Sequence, residues 1–151
     1  MTEINKKISI GMPIYNAEKF LRNRLDSLLS QSFSDFELII SDDASTDSTQ
    51  EICEEYTLKD KRIRYFRQEK NIGISANFYF VLHQAIYDYF FWAAQDDVTI
   101  PGFIEKNIHA LDNNTKLICS VSKIKSRIEN ELITSILKKA ALLEKEKKTK
   151  K

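Results

Sequence analysis

The sequence is poor in cysteine and has no long apolar run. Its two cysteines, Cys53 and Cys119, lie far apart and are not spaced as metal ligands, so we interpret them as buried thiols of a protein in a reducing compartment. The longest unbroken apolar run, residues 89–94, is far too short for a membrane-spanning helix, which needs about 20 residues. Residues 1–7 are polar and do not resemble a signal peptide. From these absences we expect a cytoplasmic location.

Most of the chain also lacks the basic face that nucleic-acid-binding proteins present. The net charge of the 151 residues is +1, but seven lysines and two glutamates lie in residues 138–151. The rest of the chain holds 16 basic against 20 acidic residues, whereas a nucleic-acid-binding domain is expected to be basic. We therefore expect no nucleic acid partner. A ligand that carries phosphate would need a metal ion between itself and this acidic body.

Apolar runs of the strand type alternate with helical patterns along the first 124 residues. The predicted strands cover residues 7–12, 36–41, 62–68, 89–95 and 116–124. Helices are predicted between them, with Asn16, Asp47 and Ser75 as candidate N-terminal caps and Pro101 at the start of the last one. This order predicts an α/β protein, a three-layer α/β/α sandwich with a mostly parallel sheet and right-handed crossovers. The length is that of one domain.

The pattern changes after residue 124. Residues 125–151 are predicted to form one amphipathic helix with a lysine-rich tail, whose apolar positions are Ile128, Leu132, Ile133, Ile136, Leu137, Ala140 and Leu143. Two interpretations remain open. Either the helix packs on the domain of residues 1–124, or it docks on a partner protein or on an anionic membrane surface, where each basic residue adds about 1 kcal/mol. The second interpretation makes the chain a peripheral protein at the inner face of the membrane.

Two acidic doublets follow predicted strands: Asp42-Asp43 and Asp96-Asp97. Ligands of open parallel sheets bind in the crevice beyond the carboxyl ends of the strands. Adjacent carboxylates repel each other, so we expect the doublets to meet a hard divalent cation, Mg²⁺ or Mn²⁺, together with a hydrogen-bonding ligand. Asp43 is a candidate acceptor for the imide N–H of a uracil or for ribose hydroxyls. The simpler alternatives are helix capping, which we favour for Asp47, and a solvated acidic turn at Asp96-Asp97.

An aromatic residue, Tyr15, follows the first predicted strand. Its ring offers a flat face to a nucleotide base and its hydroxyl offers a hydrogen bond. Taken alone, a tyrosine at this place is also typical of the core or its rim, so the prediction depends on its neighbours.

Several of these segments, in this order, resemble those of family 2 glycosyltransferases, which have the GT-A fold of nucleotide-diphospho-sugar transferases. The resemblance extends over residues 8–111, and it rests on ISIGMPIYN at 8–16, LDSLLSQSF at 25–33, FELIISDDASTD at 36–47, NIG at 71–73 with Asn77, and QDD at 95–97. That family usually has an acidic residue where this sequence has Gln95. We do not interpret this departure as disabling.

The resemblance implies a role for five residues. Pro13 and Tyr15 would line the nucleoside pocket, with Tyr15 against the base. Asp43 would accept a hydrogen bond from the edge of the base, and Asp96 would contact the sugar or the ribose. Asp97, the last acid of its motif, would bind Mg²⁺ or Mn²⁺.

The activity implied by the resemblance is transfer of a sugar from a nucleotide diphosphate sugar, with UDP favoured, to a hydroxyl of a glycan or lipid-linked acceptor in polysaccharide biosynthesis. Such enzymes are metal-dependent and generally invert the anomeric carbon, which requires a base for the acceptor proton. The family takes that base from a later segment, for which this sequence has only its helical, lysine-rich end. The fold is therefore predicted to be truncated, and no catalytic base is assigned.

Two alternatives follow from this missing half. The first is a catalytically incomplete fragment or module that binds a nucleotide sugar, because Glu129 and Glu131, the acids near the expected place, have the pattern of exposed helix residues. The second is a phosphoacceptor receiver domain, which needs an acidic pair after the first strand and a lysine after the fifth. Lys123 and Lys125 nearly supply the lysine, but residues 13–16 contain no acid.

Overall fold

Four parallel β-strands alternate with four helices in the residues that the computed structural model describes, 7–112, with side chains described through residue 109. The strands are β1 (Ile8–Ile14), β2 (Phe36–Asp42), β3 (Ile63–Arg67) and β4 (Tyr89–Trp92). The helices are α1 (Glu18–Leu29), α2 (Thr49–Lys59), α3 (Ile74–Gln84) and α4 (Phe103–Asp112). The whole sheet and α1–α3 belong to one compact unit that ends at Glu105. Within the described part of the chain, none of the helices has both the length and the apolar character to cross a membrane.

The strand order across the sheet is β3-β2-β1-β4, and every pairing is parallel. The steps from β1 to β2 and from β2 to β3 move in one direction, and the step from β3 to β4 moves in the other. Because crossovers between parallel strands are right-handed, α1 and α2 cover one face of the sheet and α3 covers the opposite face. The predicted three-layer α/β/α sandwich with a parallel sheet is therefore confirmed.

The change of direction occurs between β1 and β4, and it positions the site. Open parallel sheets form a ligand-binding crevice at such a switch point, outside the carboxyl ends of the two strands. β1 pairs with β4 only as far as Gly11 and Trp92, whereas its pairing with β2 continues to Ile14 and Asp42. The gap beyond Gly11 on the β4 side is the place where this crevice begins.

Alternating side chains of β1 define the two layers of the core. The even-numbered residues of β1 are fully apolar and buried, as are the leucines on the inner stripe of α1 (Ile8, Ile10, Met12, Ile14, Leu21, Leu25, Leu28). On the α3 face, Gly11 leaves no space for a side chain: an added Cβ would lie 2.4 Å from Cζ of Phe90 and 2.8 Å from Cγ2 of Val81. The glycine therefore allows α3 and the β4 side chains to approach the backbone of β1 closely.

Several element ends differ from the sequence-based expectations. β4 ends at Trp92, three residues before Gln95, and Asp42 is the last residue of β2 instead of part of the loop. The N-terminal cap of α1 is Ala17, because Asn16 has a positive φ of 47°, and Gly73, not Ser75, precedes α3 with a φ of 87°. The predicted fifth strand at 116–124 and the predicted helix of 125–151 lie outside the described residues.

Candidate functional site

The loops that follow β1, β2 and β4 are joined at the carboxyl edge of the sheet. The backbone N–H of Asp43 donates to the carbonyl of Ile14 at 2.9 Å, and that of Ala93 donates to the carbonyl of Gly11 at 2.9 Å. These bonds extend both ladders of β1 by one step beyond the strands. The three loops therefore leave the sheet side by side, as the crevice model requires.

The hydroxyl-rich segment after β2 supplies hydrogen-bond acceptors to the start of α1. Oγ of Ser45 accepts from the N–H of Asn16 at 2.9 Å, and Oγ1 of Thr49 accepts from the N–H of Ala17 at 2.8 Å. In return, Oδ1 of Asn16 accepts from the N–H of Thr46 at 2.8 Å. The first N–H groups of a helix have no partner within the helix, so a neighbouring loop satisfies them here.

The N-terminal cap of α2 is Ser48, not Asp47 as the sequence suggested, but the Asp47 side chain still accepts from N–H groups at the start of two helices. Its carboxylate accepts from the N–H of Thr49 at 3.0 Å and from the N–H of Glu18 at 3.2 Å, and Glu18 accepts from the N–H of Ser48 at 3.0 Å. Partial burial opposes the charged form, but hydrogen bonds from Thr49 and Glu18 hold the pKa of Asp47 below its ordinary value. The clustering of polar residues at 45–49 is thus explained by the joining of two loops.

Asp42 does not face the crevice. It is 0% exposed, and its Oδ2 accepts from Nη1 of Arg67 at 2.6 Å and from the hydroxyl of Tyr65 at 3.0 Å. Its Oδ1 accepts from both the N–H and the hydroxyl of Ser45. Burial, followed by the negative charge of Asp42, raises the pKa of Tyr65. The expectation that all four aspartates of the doublets converge on one cation is therefore wrong for Asp42, because its charge is neutralised inside the sheet.

Asp43 holds the loop that precedes α3. Its two carboxylate oxygens accept from the N–H of Ile72 at 2.7 Å and from the N–H of Gly73 at 3.0 Å, and the residue is 3% exposed. A carboxylate has about four acceptor sites, so two bonds leave capacity for a further donor. The predicted role of Asp43 toward the edge of a base stays a prediction, and the structure adds a second role to it.

Pro13 and Asn77 close the end of the sheet between β1 and β2. Pro13 is buried within β1, where it pairs with Ser41. Its nitrogen lies on the β4 side of the strand, beyond the last pair at Gly11, so the missing N–H interrupts no ladder bond. Nδ2 of Asn77 donates to the carbonyl of Ser41 at 2.9 Å, and its buried Oδ1 has no partner among the described residues.

Tyr15 and the acidic turn are connected through Gln95. Tyr15 is 44% exposed, which is consistent with a base-stacking role. Its backbone N–H donates to Oε1 of Gln95 at 2.9 Å, and Nε2 of Gln95 donates to the carbonyl of Tyr15 at 3.3 Å. Asp96 and Asp97 follow at once and are both exposed. The structure therefore brings Tyr15 next to the acidic turn, at the switch point between β1 and β4.

A buried cation in α1 supports the acidic turn, and the sequence-based analysis missed it. Arg24 is 2% exposed, and its Nη1 donates to Oγ1 of Thr99 at 2.6 Å. Burial lowers the pKa of Arg24 to about 10, and the charges of Asp97 and Asp96 oppose that decrease. The signal was an arginine within the leucine stripe of α1, three residues after Leu21, where a charge is expected only if it has a partner.

Ser27 of α1 and Gln31, two residues beyond the end of α1, bind the same loop. Oγ of Ser27 accepts from the N–H of Thr99 at 3.3 Å, and Nε2 of Gln31 donates to the carbonyl of Ile100 at 3.1 Å. Residues of α1 and of the segment just beyond it therefore hold the chain immediately after Asp97 in place. A loop held in this way presents its carboxylates in a defined place, which favours ligand binding.

The exposed pair Asp96-Asp97 has the donor set that Mg²⁺ or Mn²⁺ uses. Among residues 7–109, no group of three or more His, Cys, Asp or Glu side chains is arranged to hold a metal ion. Three protein ligands are not required, since Mg²⁺ is usually held by one or two carboxylates and completes its shell with phosphate oxygens and water. Neither carboxylate accepts a hydrogen bond from a described residue, so the residues fit a cation that arrives with a diphosphate.

Comparison with known protein sequences places the chain in a family. The family model described as "Glycosyl transferase family 2" matches residues 9–150. The putative glycosyltransferase EpsE of Bacillus subtilis is 36% identical over 109 residues, which cover 72% of this chain and 39% of that protein. An uncharacterized glycosyltransferase of Haemophilus influenzae is 38% identical over 107 residues, covering 71% and 43% of the two chains. The chain thus spans less than half of the length of these relatives.

Solved structures of glycosyltransferases share the fold. TarS of S. aureus, solved as residues 1–349 with UDP-GlcNAc, superposes with a TM-score of 0.66 at 30% identity and covers 71% of this chain and 31% of its own. The mannosyltransferase PcManGT of Pyrobaculum calidifontis, solved with GDP-Man and Mn²⁺, has a TM-score of 0.67 at 16% identity, covers 72% and 33%, and supports the fold alone. An exposed tyrosine and an acidic turn meet at the switch point of such a sheet. Because the family model matches residues 9–150 and the fold agrees with that of TarS, the chain belongs to glycosyltransferase family 2 and has the GT-A fold.

Proposed function

We propose that this chain provides the donor site of a glycosyltransferase, which moves a sugar from a nucleotide diphosphate sugar to a hydroxyl of a glycan or lipid-linked acceptor. One observation carries the proposal. An exposed aromatic ring, Tyr15, and an exposed carboxylate pair, Asp96-Asp97, are joined by Gln95 across the crevice between β1 and β4. A base and a diphosphate, a few ångströms apart in one ligand, need these two kinds of surface side by side.

Each group of the site has a defined task in the proposed mechanism. The ring of Tyr15 stacks on the base, and Asp43 accepts from the base edge with the capacity left by its two loop bonds. Pro13, buried in β1 two residues before Tyr15, is proposed to line the same pocket. Asp96 accepts hydrogen bonds from hydroxyls of the ribose or the donor sugar. We favour UDP as the nucleotide because TarS, at 30% identity, is solved with UDP and with UDP-GlcNAc.

The acidic turn is proposed to hold Mg²⁺ or Mn²⁺, with Asp97 as the principal ligand. When bound, the ion would supply Lewis-acid stabilisation of the charge that develops on the diphosphate leaving group. The positive charge of Arg24 offsets part of the repulsion between the two adjacent carboxylates. We also propose inversion at the anomeric carbon, which needs a base for the acceptor proton, and we assign no described residue to that role.

Isothermal titration calorimetry tests the donor site. We expect UDP to bind in the presence of Mn²⁺ and to bind more weakly with a chelator, and we expect Asp97→Asn to lower the affinity by about tenfold or more, equivalent to about 1.4 kcal/mol. Asp88→Asn is the matched control, because Asp88 is exposed at the opposite end of β4. Absence of measurable affinity for both UDP and GDP with Mn²⁺ present would reject the proposal.

A second candidate function is a nucleotide-sugar-binding module that performs no transfer. Its basis is that none of the described residues is assigned as the base for the acceptor proton, which transfer requires. The module is expected to bind UDP as above but to release no UDP from UDP-sugars, with or without added acceptor. Detection of turnover that is lost in Asp97→Asn would exclude the module and support the enzyme.

A further inference from the structure

We propose that Gln95 is a positioning residue of the nucleotide site, which holds the backbone of Tyr15 in the conformation that presents its ring to the base. The inference rests on the proposed donor site. Its structural basis is a pair of hydrogen bonds between residues 80 positions apart: the N–H of Tyr15 donates to Oε1 of Gln95 at 2.9 Å, and Nε2 of Gln95 donates to the carbonyl of Tyr15 at 3.3 Å.

This pair of hydrogen bonds lies just beyond the point where backbone pairing between β1 and β4 stops. The last backbone hydrogen bond between β1 and the β4 chain joins the N–H of Ala93 to the carbonyl of Gly11. Beyond this bond the segments that follow β1 and β4 separate. There the carboxamide of Gln95 substitutes for a peptide group, because it offers one donor and one acceptor side by side. The side chain thus continues the ladder across the open end of the crevice, where backbone pairing has stopped.

The chain on the other side of Tyr15 is also constrained. Asn16 has a φ of 47°, which residues other than glycine seldom adopt, and asparagine tolerates it better than most. Bonds to Ser45 and from Thr46 hold Asn16 at 2.9 Å and 2.8 Å. Tyr15 therefore lies between two anchors, one from the β2 loop and one from Gln95, and removal of the Gln95 anchor frees the backbone of Tyr15 on the side of the acidic turn.

The carboxamide makes both bonds because it carries a donor and an acceptor on one carbon. An ionised glutamate accepts hydrogen bonds but donates none, so Gln95→Glu would keep the bond from the N–H of Tyr15 and would bring a negative oxygen against its carbonyl. It would also add a third charge beside Asp96 and Asp97. Methionine matches the length and shape of glutamine and makes neither bond, which makes Gln95→Met the cleaner probe of positioning.

The first test uses the free protein and needs no ligand. Amide hydrogen exchange, followed by NMR, is expected to show exchange at Tyr15 about tenfold faster in Gln95→Met than in the wild type, because its acceptor is lost. Gln50→Met is the matched control on α2, where the side chain of Gln50 bonds, among the described residues, to Glu54 on the same helix surface. Equal exchange at Tyr15 in the wild type and in Gln95→Met would overturn the inference, whatever the chain binds.

The second test separates positioning from general stability. With Mn²⁺ present, UDP affinity is expected to fall about tenfold in Gln95→Met and to fall also in Gln95→Glu, whereas the affinity for inorganic pyrophosphate, which has no base, is expected to change less than about twofold. Equal losses for UDP and pyrophosphate would assign the effect to the acidic turn and would overturn the inference. A wild type that binds neither UDP nor GDP would defeat the proposed function, while the exchange measurement would still decide whether Gln95 orders Tyr15.

Discussion

Replacement of Asp42 by asparagine tests the claim that this carboxylate is part of the structure and not part of the cation site. Asp42 is fully buried at the end of β2 and pairs with Arg67 directly across the β2–β3 ladder. In Asp42→Asn the side chain keeps an oxygen for Ser45, but its amide group can only meet the guanidinium of Arg67 as one donor facing another. The substitution therefore breaks an ion pair with almost no change in volume.

The expected loss of stability follows from the burial of the two partners. Removal of one partner from a buried ion pair costs about 3–5 kcal/mol, because the remaining charge is left without compensation. The side chain of Arg67 is 34% exposed, so its guanidinium can regain water and the cost is reduced. We expect Asp42→Asn to lower the free energy of unfolding by about 2–3 kcal/mol, a large part of the 5–15 kcal/mol that is typical of a domain.

Urea unfolding followed by tryptophan fluorescence measures this loss, since Trp92 in β4 is the only tryptophan of the chain. Arg67→Met provides the second arm of a double-mutant cycle with Asp42→Asn. We expect the double variant to lose less than the sum of the two single losses, because each single change leaves one unpaired group that the other removes. A loss below about 0.5 kcal/mol in Asp42→Asn, or strict additivity in the cycle, would refute the reasoning.

Two further predictions concern stability away from the crevice. Although burial opposes it, hydrogen bonds from a serine hydroxyl, a backbone amide and Arg64 hold the pKa of Glu37 below its ordinary value of 4.5. The stabilisation from Glu37 is therefore present above pH 4.5 and is lost as the pH falls through the lower pKa of the folded state. We expect Glu37→Gln to make the free energy of unfolding, measured in urea between pH 7 and 3, depend less steeply on pH on the acid side. An unchanged acid dependence would contradict this. Gly11→Ala places a methyl group within 2.8 Å of Phe90 and Val81, and is expected to cost about 1–3 kcal/mol and to be partly rescued by Val81→Ala; a thermal unfolding midpoint equal to that of the wild type would disprove the close packing.

The secondary structure was accessible from sequence because its signals are local. The apolar run before Asp42 and the alternation at residues 62–68 depend only on neighbouring residues, and they predicted β2 and β3 to within one or two positions. Helix starts were less accurate. Asparagine is a residue type that commonly caps helices, but the side chain of Asn16 accepts from the N–H of Thr46 in another loop. This tertiary contact overrides the local preference for capping α1.

The candidate site residues also divide into features that local patterns predict and features that depend on long-range contacts. The sequence predicted candidate site residues after three of the strands: Tyr15 after β1, Asp43 after β2, and Asp96-Asp97 after β4. It did not reveal that Asp42 is neutralised, because its partners Tyr65 and Arg67 come from β3, and their proximity depends on strand register. Asp42 and Asp43 look equivalent in the sequence. In the fold, successive side chains along a strand point to opposite faces of the sheet, so the two carboxylates meet different partners.

The sequence by itself determined the alternating strands and helices, the family, and the positions of the acidic turns, because all of these depend on short-range patterns of residue type. Only the tertiary structure decided which carboxylates remain exposed, that Arg24 is buried against the loop that follows the acidic turn, and that Gln95 binds the backbone of Tyr15. The physical reason is that charge compensation and hydrogen bonds to backbone groups depend on distances between parts of the chain that are far apart in sequence, and a backbone N–H or carbonyl looks the same at every position until the fold gives it a neighbour.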